Sequence, residues 1–218
     1  MSIVKQASLK WNYMFNLANK LVALLIPLIV TPYVTRVFSS ERLGVYTYTN
    51  TVATYFVTFS LMGISMYGSK RISLKRHNES TINDEYTTLL TVQLVNTSLA
   101  IVAYFLYVTF FVVSDQDIYW IQMLYVISAG FDMSWFLSGL ERFREIAVRN
   151  ALVNILSAVM IFVFVHTETD LEIYTLIKVG TILVSQLAIF LPVILKQQFH
   201  LATGKQIYRA YQGLLLLF

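Results

Sequence analysis

Residues 87–113 read TTLLTVQLVNTSLAIVAYFLYVTFFVV, with no Asp, Glu, Lys or Arg in the stretch. As a helix these residues would rise about 40 Å, more than the roughly 30 Å of hydrocarbon in a bilayer. Working outward, five more stretches have a mostly apolar character. They cover residues 11–35, 45–67, 118–140, 151–166 and 173–195, the fifth in chain order being short. One further apolar run, 213–218, reaches the end of the sequence. The expected fold is all-α and integral to a membrane: six transmembrane helices in one bundle, with the start of a seventh. Residues 1–212 would form the bundle, and 213–218 the cut-off start of a further apolar segment.

The composition agrees. Of 218 residues, 57% are apolar and 13% charged, against about 25% charged in an ordinary soluble domain. Mean hydropathy is +0.64. There is no cysteine, which excludes a disulfide framework, a thiolate metal site and a cysteine nucleophile. The first apolar stretch is too long for a cleaved signal peptide and carries Pro27 and Pro32.

Basic residues set the expected orientation. Lys5, Lys10, Lys70, Arg71, Lys75, Arg76, Arg142, Arg144, Arg149, Lys196, Lys205 and Arg209 fall in alternate connecting segments; the other segments hold only Arg36 and Arg42. Lys and Arg are enriched on the cytoplasmic side, so the N-terminus and the basic loops are expected in the cytoplasm. The net charge of +4 is thus a topology signal, and no nucleic-acid partner is expected.

Ionisable groups within spans are costly and usually face a cavity or a partner. Lys20, Asp132 and Lys178 fall in spans, with Arg36 and Arg71 near span ends. Lys20 and Lys178 have long stems that can snorkel to an interface, whereas the short side chain of Asp132 needs a partner or water. Pro27 and Pro32 each remove a backbone donor and are expected to break span one beside a cavity. Asp115-Gln116-Asp117 has a metal-binding D-x-D form, but reads better as a short acidic link. The three histidines are scattered without metal-ligand spacing. Neither a metal nor a cofactor is expected.

Three segments together resemble a known family. Residues 27–48 read PLIVTPYVTRVFSSERLGVYTY, 61–76 read LMGISMYGSKRISLKR, and 132–143 read DMSWFLSGLERF, followed by Arg149-Asn150. The patterns are P-Y-x-x-R-x-x-x-x-E-x-x-G-x-Y, G-I-x-x-Y-G-x-R and D-x-S-W-x-x-x-G-x-E-x-F. They resemble the N-terminal half of the Wzx-type polysaccharide repeat-unit flippases, within the multidrug/oligosaccharidyl-lipid/polysaccharide exporter superfamily. Phe38-Ser39 stands where a Leu-Gly pair is more usual.

The resemblance implies a multi-pass transporter of the bacterial cytoplasmic membrane, not an enzyme. Its cargo would be an undecaprenyl-pyrophosphate-linked oligosaccharide destined for O-antigen, capsule or exopolysaccharide. On this reading Lys20, Arg36 and Arg71 contact the pyrophosphate or glycan, and Asp132 is a charge partner or coupling-ion site driven by a proton or sodium gradient. The family usually has two six-helix bundles, so the chain is expected to be a truncated half, with a homodimer as the other route to a second bundle. Two alternatives stay in view: a drug or lipid exporter of the same superfamily, and a membrane-embedded polymerase or acyltransferase.

Overall fold

The computed structural model describes residues 24–75, 79–197 and 201–215, and every regular element among them is a helix. In chain order these are α1 (Leu24–Val37), α2 (Ser40–Leu61), α3 (Ile64–Lys75), α4 (Glu79–Phe111) and α5 (Gln116–Ser128). Then come α6 (Ser134–Gly139), α7 (Phe143–Phe164), α8 (Leu171–Lys196) and α9 (Gly204–Leu215). Short 3-10 turns at Ala129–Phe131 and Glu168–Asp170 lead into α6 and α8.

Among the described residues, three helical stretches are long and apolar enough to cross a membrane: Thr81–Phe111, Phe143–Phe164 and Glu168–Leu195. The chain is therefore read as a membrane protein. The other expected spans take different forms. Span one is represented by α1, a shorter apolar helix, and its beginning lies outside the described residues. Span two is α2, 22 residues long but rich in threonine. Those hydroxyls are satisfied within the helix: Thr47 donates to the Leu43 carbonyl at 2.8 Å, Thr51 to Thr47 at 2.7 Å and Thr58 to Thr54 at 2.8 Å. Back-bonding of this kind lets a hydroxyl-rich helix sit among apolar neighbours. Span two ends at Leu61 because Met62 and Gly63 take φ of 29° and 74°, a turn that glycine tolerates.

The continuous fourth span expected over 118–140 is corrected. It is two helices, α5 and α6, separated by an irregular stretch through Asp132 and Met133. The expected break in span one is also absent: residues 24–37 are helical through both Pro27 and Pro32. Pro32 removes one helix hydrogen bond, which bends a helix without ending it. Pro192 sits inside α8 in the same way.

The connections gather at two ends. At one, Arg42 pairs with Asp115 at 3.6 Å, and the Tyr33 hydroxyl donates to the Val165 carbonyl at 2.6 Å. At the other, Arg71 and Lys75 meet Glu85, α6 lies on α3, and Ala202 N–H reaches Thr91 Oγ1 at 3.4 Å. This end holds Arg71, Lys75 and Lys205, matching the alternation of basic segments read from the sequence.

Helix α9 is amphipathic. Ile207, Ala210, Tyr211 and Leu214 face the core around Trp135 and Tyr86, while Lys205, Tyr208, Arg209 and Gln212 are exposed. The helix runs on through Gly213, against which the Tyr67 ring rests. Residues 213–215 therefore continue an amphipathic helix that starts at Gly204, and the expected boundary after residue 212 falls inside it.

Helices α3 and α6 touch through two glycines. A Cβ added at Gly68 would lie 2.7 Å from the Trp135 indole, and one at Gly139 would lie 2.6 Å from Ile72 Cβ and 2.9 Å from the Ser69 carbonyl. Gly139→Ala must push the two backbones apart and should cost about 1–3 kcal/mol. Gly180→Ala, which meets nothing within 4 Å, should leave thermal unfolding in detergent unchanged or raise it. Equal melting temperatures for the Gly139→Ala variant and the parent chain would refute the close contact.

Candidate functional site

The break between α5 and α6 is held by one buried amide. Gln93 on α4 donates from Nε2 to the Ala129 carbonyl at 2.7 Å and the Asp132 carbonyl at 3.0 Å, with Gly130 at 3.3 Å. Its Oε1 accepts from the Trp135 indole Nε1 at 2.8 Å. Gln93 and Trp135 are both buried. Nothing in residue type or spacing marks Gln93 as special in the sequence, because its partners are backbone carbonyls some forty positions away.

Asp132 sits at the end of this break. Its Oδ1 accepts from the Ser134 N–H at 2.8 Å, starting α6. Ser134 Oγ in turn accepts from Arg149 Nη2 at 3.2 Å, and Arg149 Nη1 donates to Gln186 Oε1 at 3.0 Å. Ser134 thus links Asp132 to Arg149 on α7, and Arg149 to Gln186 on α8. Below Arg149, a cleft of about 670 Å³ between α7 and α8 is apolar apart from Arg144, Glu145, Arg149, Thr181 and Ser185.

A second polar space, of about 270 Å³, lies between α1, α2, α7 and α8. Its lining includes Pro27, Thr31, Tyr46, Asn154, Ser157 and Lys178. Lys178 does not snorkel outward from span six; it is partly buried and turned into this cavity. Pro27, expected beside a cavity, does line it, while Pro32 does not.

The expected anion-contacting residues are not brought together. Lys20 lies outside the described residues. Arg36 is exposed near the end of α1. Arg71 lies beyond the far end of α2, whose 22 residues rise about 33 Å. Arg71 donates to Glu85 through Nε at 3.0 Å and through Nη2, and Lys75 joins the same carboxylate. The hydrogen bond to Glu85 holds the Arg71 guanidinium above its ordinary pKa. Two cations on one carboxylate leave a net positive cluster with Arg71 partly exposed. Among the described residues no group of three His, Cys, Asp or Glu stands in position to hold a metal.

Gln93→Leu would strand the Asp132 carbonyl and the Trp135 indole N–H in a buried site and leave the Ala129 carbonyl only the Asp132 N–H at 3.3 Å. At about 1–3 kcal/mol for each unsatisfied group, a loss of about 3 kcal/mol or more is expected. A stability change within about 0.5 kcal/mol, read by thermal or denaturant unfolding in detergent, would show that the amide does not hold the break.

No curated protein and no solved structure matches the chain. A family model described as polysaccharide biosynthesis protein matches residues 9–211, which spans α1 to α8 and most of α9. With nearly the whole chain covered, the helical membrane bundle, its interrupted α5–α6 segment and its internal cations belong to a member of the polysaccharide biosynthesis protein family.

Proposed function

We propose that the protein is a flippase for lipid-linked oligosaccharides. It carries undecaprenyl-pyrophosphate-linked repeat units from the cytoplasmic to the outer leaflet of the bacterial cytoplasmic membrane, for assembly into O-antigen, capsule or exopolysaccharide. The observation that carries this reading is the family match over residues 9–211 on an all-helical bundle with a cation inside it. A hydrated glycan and its pyrophosphate cannot cross about 30 Å of hydrocarbon without a polar path. Helices enclosing polar groups supply such a path, and alternating access would open it to each side in turn.

In this reading the chain crosses the membrane six times, with the α5–α6 pair together making one crossing and the N-terminus in the cytoplasm. It acts as a transporter, not an enzyme, and needs no cofactor. Lys20, Arg36 and Arg71 meet the cargo at successive depths, and Arg71 is held in place by Glu85. Asp132, beside Arg149, is the group whose pairing a proton or sodium gradient would alter.

Deleting the gene in its own bacterium should make undecaprenyl-linked repeat units build up in the cytoplasmic leaflet. They would be found by mass spectrometry of lipid extracts, yet stay unlabelled in intact spheroplasts by a membrane-impermeant periodate–hydrazide reagent. Units still exposed on the outer leaflet would rule the reading out. Exposed but unpolymerised units would point to a polymerase, and an unchanged glycan with raised drug sensitivity to a drug exporter. Neutralising Lys20, Arg36, Arg71 or Asp132 should lower export about tenfold, equivalent to about 1.4 kcal/mol, with membrane insertion unchanged. Full export in all four variants would remove the assignment of those residues.

A further inference from the structure

We propose that the cavity between α1, α2, α7 and α8 binds a phosphate-type oxyanion through Lys178. The assignment builds on the transport reading, since the head group of the cargo carries this chemistry, but it concerns a binding step that is measured without transport.

Three observations point the same way. First, Lys178 lines the cavity, is partly buried, and among the described residues has no hydrogen-bond or ion-pair partner. An unpaired ammonium in a low-dielectric bundle is costly, so the site favours an incoming negative charge. Second, the described residues offer no counter-ion there. The chain has twelve Asp and Glu residues, none of which lines the cavity. Residues 1–23, before α1, contain no acidic residue at all. The described residues thus supply no counter-charge, a place that a bound anion would fill.

Third, four other polar side chains around the cavity can donate, while Thr35 and Thr47 give their hydroxyl protons to carbonyls of their own helices. Thr31, Tyr46 and Ser157 bring hydroxyls and Asn154 an amide. Ser157 Oγ is buried without any hydrogen-bond partner, a cost that a ligand oxygen would relieve. A cation beside hydroxyl and amide groups that can donate suits an anion with several acceptor oxygens. It repels metal cations and offers a neutral sugar no use for the charge. A volume of about 270 Å³ admits a phosphate or pyrophosphate head but not an oligosaccharide, which would extend past the exposed Thr31.

The absence of cysteine makes a direct test possible. Ala158→Cys places the chain's sole thiol on the cavity wall without touching a polar group. Its alkylation by N-ethylmaleimide is timed in detergent micelles with inorganic pyrophosphate, with undecaprenyl pyrophosphate, and with phosphatidylglycerol. Pyrophosphate at roughly ten times its dissociation constant should slow alkylation about tenfold. Protection should persist with Lys178→Arg and vanish with Lys178→Gln. Stronger protection by undecaprenyl pyrophosphate than by the inorganic ion, with little from phosphatidylglycerol, identifies the lipid-linked source. Absence of pyrophosphate protection in the Ala158→Cys chain overturns the proposal, and this arm does not depend on how the Lys178 variants fold. So does protection that survives Lys178→Gln. Protection combined with an unaltered leaflet distribution after gene deletion keeps this site and removes the transport reading; the converse removes the site alone.

Discussion

A helix interrupted inside hydrocarbon leaves carbonyls that no bulk water can reach, and each costs several kcal/mol until something donates to it. The interruption between α5 and α6 is likewise closed off inside the bundle, and Gln93 answers it from α4. A carboxylate in its place would have no proton to give those carbonyls, and an aliphatic side chain would give nothing. The same amide takes the Trp135 indole N–H, so the donor and acceptor capacities of one side chain fix both sides of the break. Asp132 and Ser134 owe their positions to this node, and Arg149 approaches them only because α6 begins where it does.

The node also explains how two family-like segments meet. Residues 61–76 and 132–143 look unrelated in sequence, yet they form the α3–α6 contact. Gly68 leaves room for the Trp135 ring that Gln93 holds, and Gly139 leaves room for Ile72. Backbones this close exclude side chains at the crossing, the arrangement that small residues permit between membrane helices. Tyr86 and Phe136 complete the packing around the indole, with ring centroids 4.9 Å apart. The glycine-tyrosine-glycine and aspartate-serine-tryptophan patterns are therefore two faces of one joint.

Charge is distributed by depth. At the basic end, Arg71 and Lys75 share Glu85, and their charge is only partly cancelled. Within the bundle, Asp132 and Arg149 stand as neighbours through Ser134. Toward the opposite end, Lys178 has donors around it but no acid. Cations therefore stand at three levels of the bundle. The groups differ in how firmly they are already engaged: Arg71 by a carboxylate, Arg149 by neutral acceptors, Lys178 by none.

Length and hydropathy in the sequence determined the membrane class, the helical fold and the place of three spans, although each span begins five to eight residues before its apolar run and the fifth is not short but 22 residues long. The physical reason is that a bilayer demands some twenty apolar residues and satisfied backbone groups whatever the partners. The alternation of basic loops was legible for a similar reason, since charge placement is written residue by residue, and connections far apart in sequence do share an end. Four things were decided by tertiary structure. The fourth apolar stretch breaks at Ala129–Met133, although its composition is uninterrupted, because a partner on α4 compensates the break. The described part of the first stretch, from residue 24, stays helical through two prolines, which composition alone marks as breakers. Arg149 comes beside Asp132 through the turn between α6 and α7. Lys178 turns into a cavity rather than toward an interface, a choice made by how α1 and α2 pack against α7 and α8. Periodicity and composition report what a segment can bury; which side chain completes another segment's hydrogen bonds depends on contacts that only the folded bundle creates.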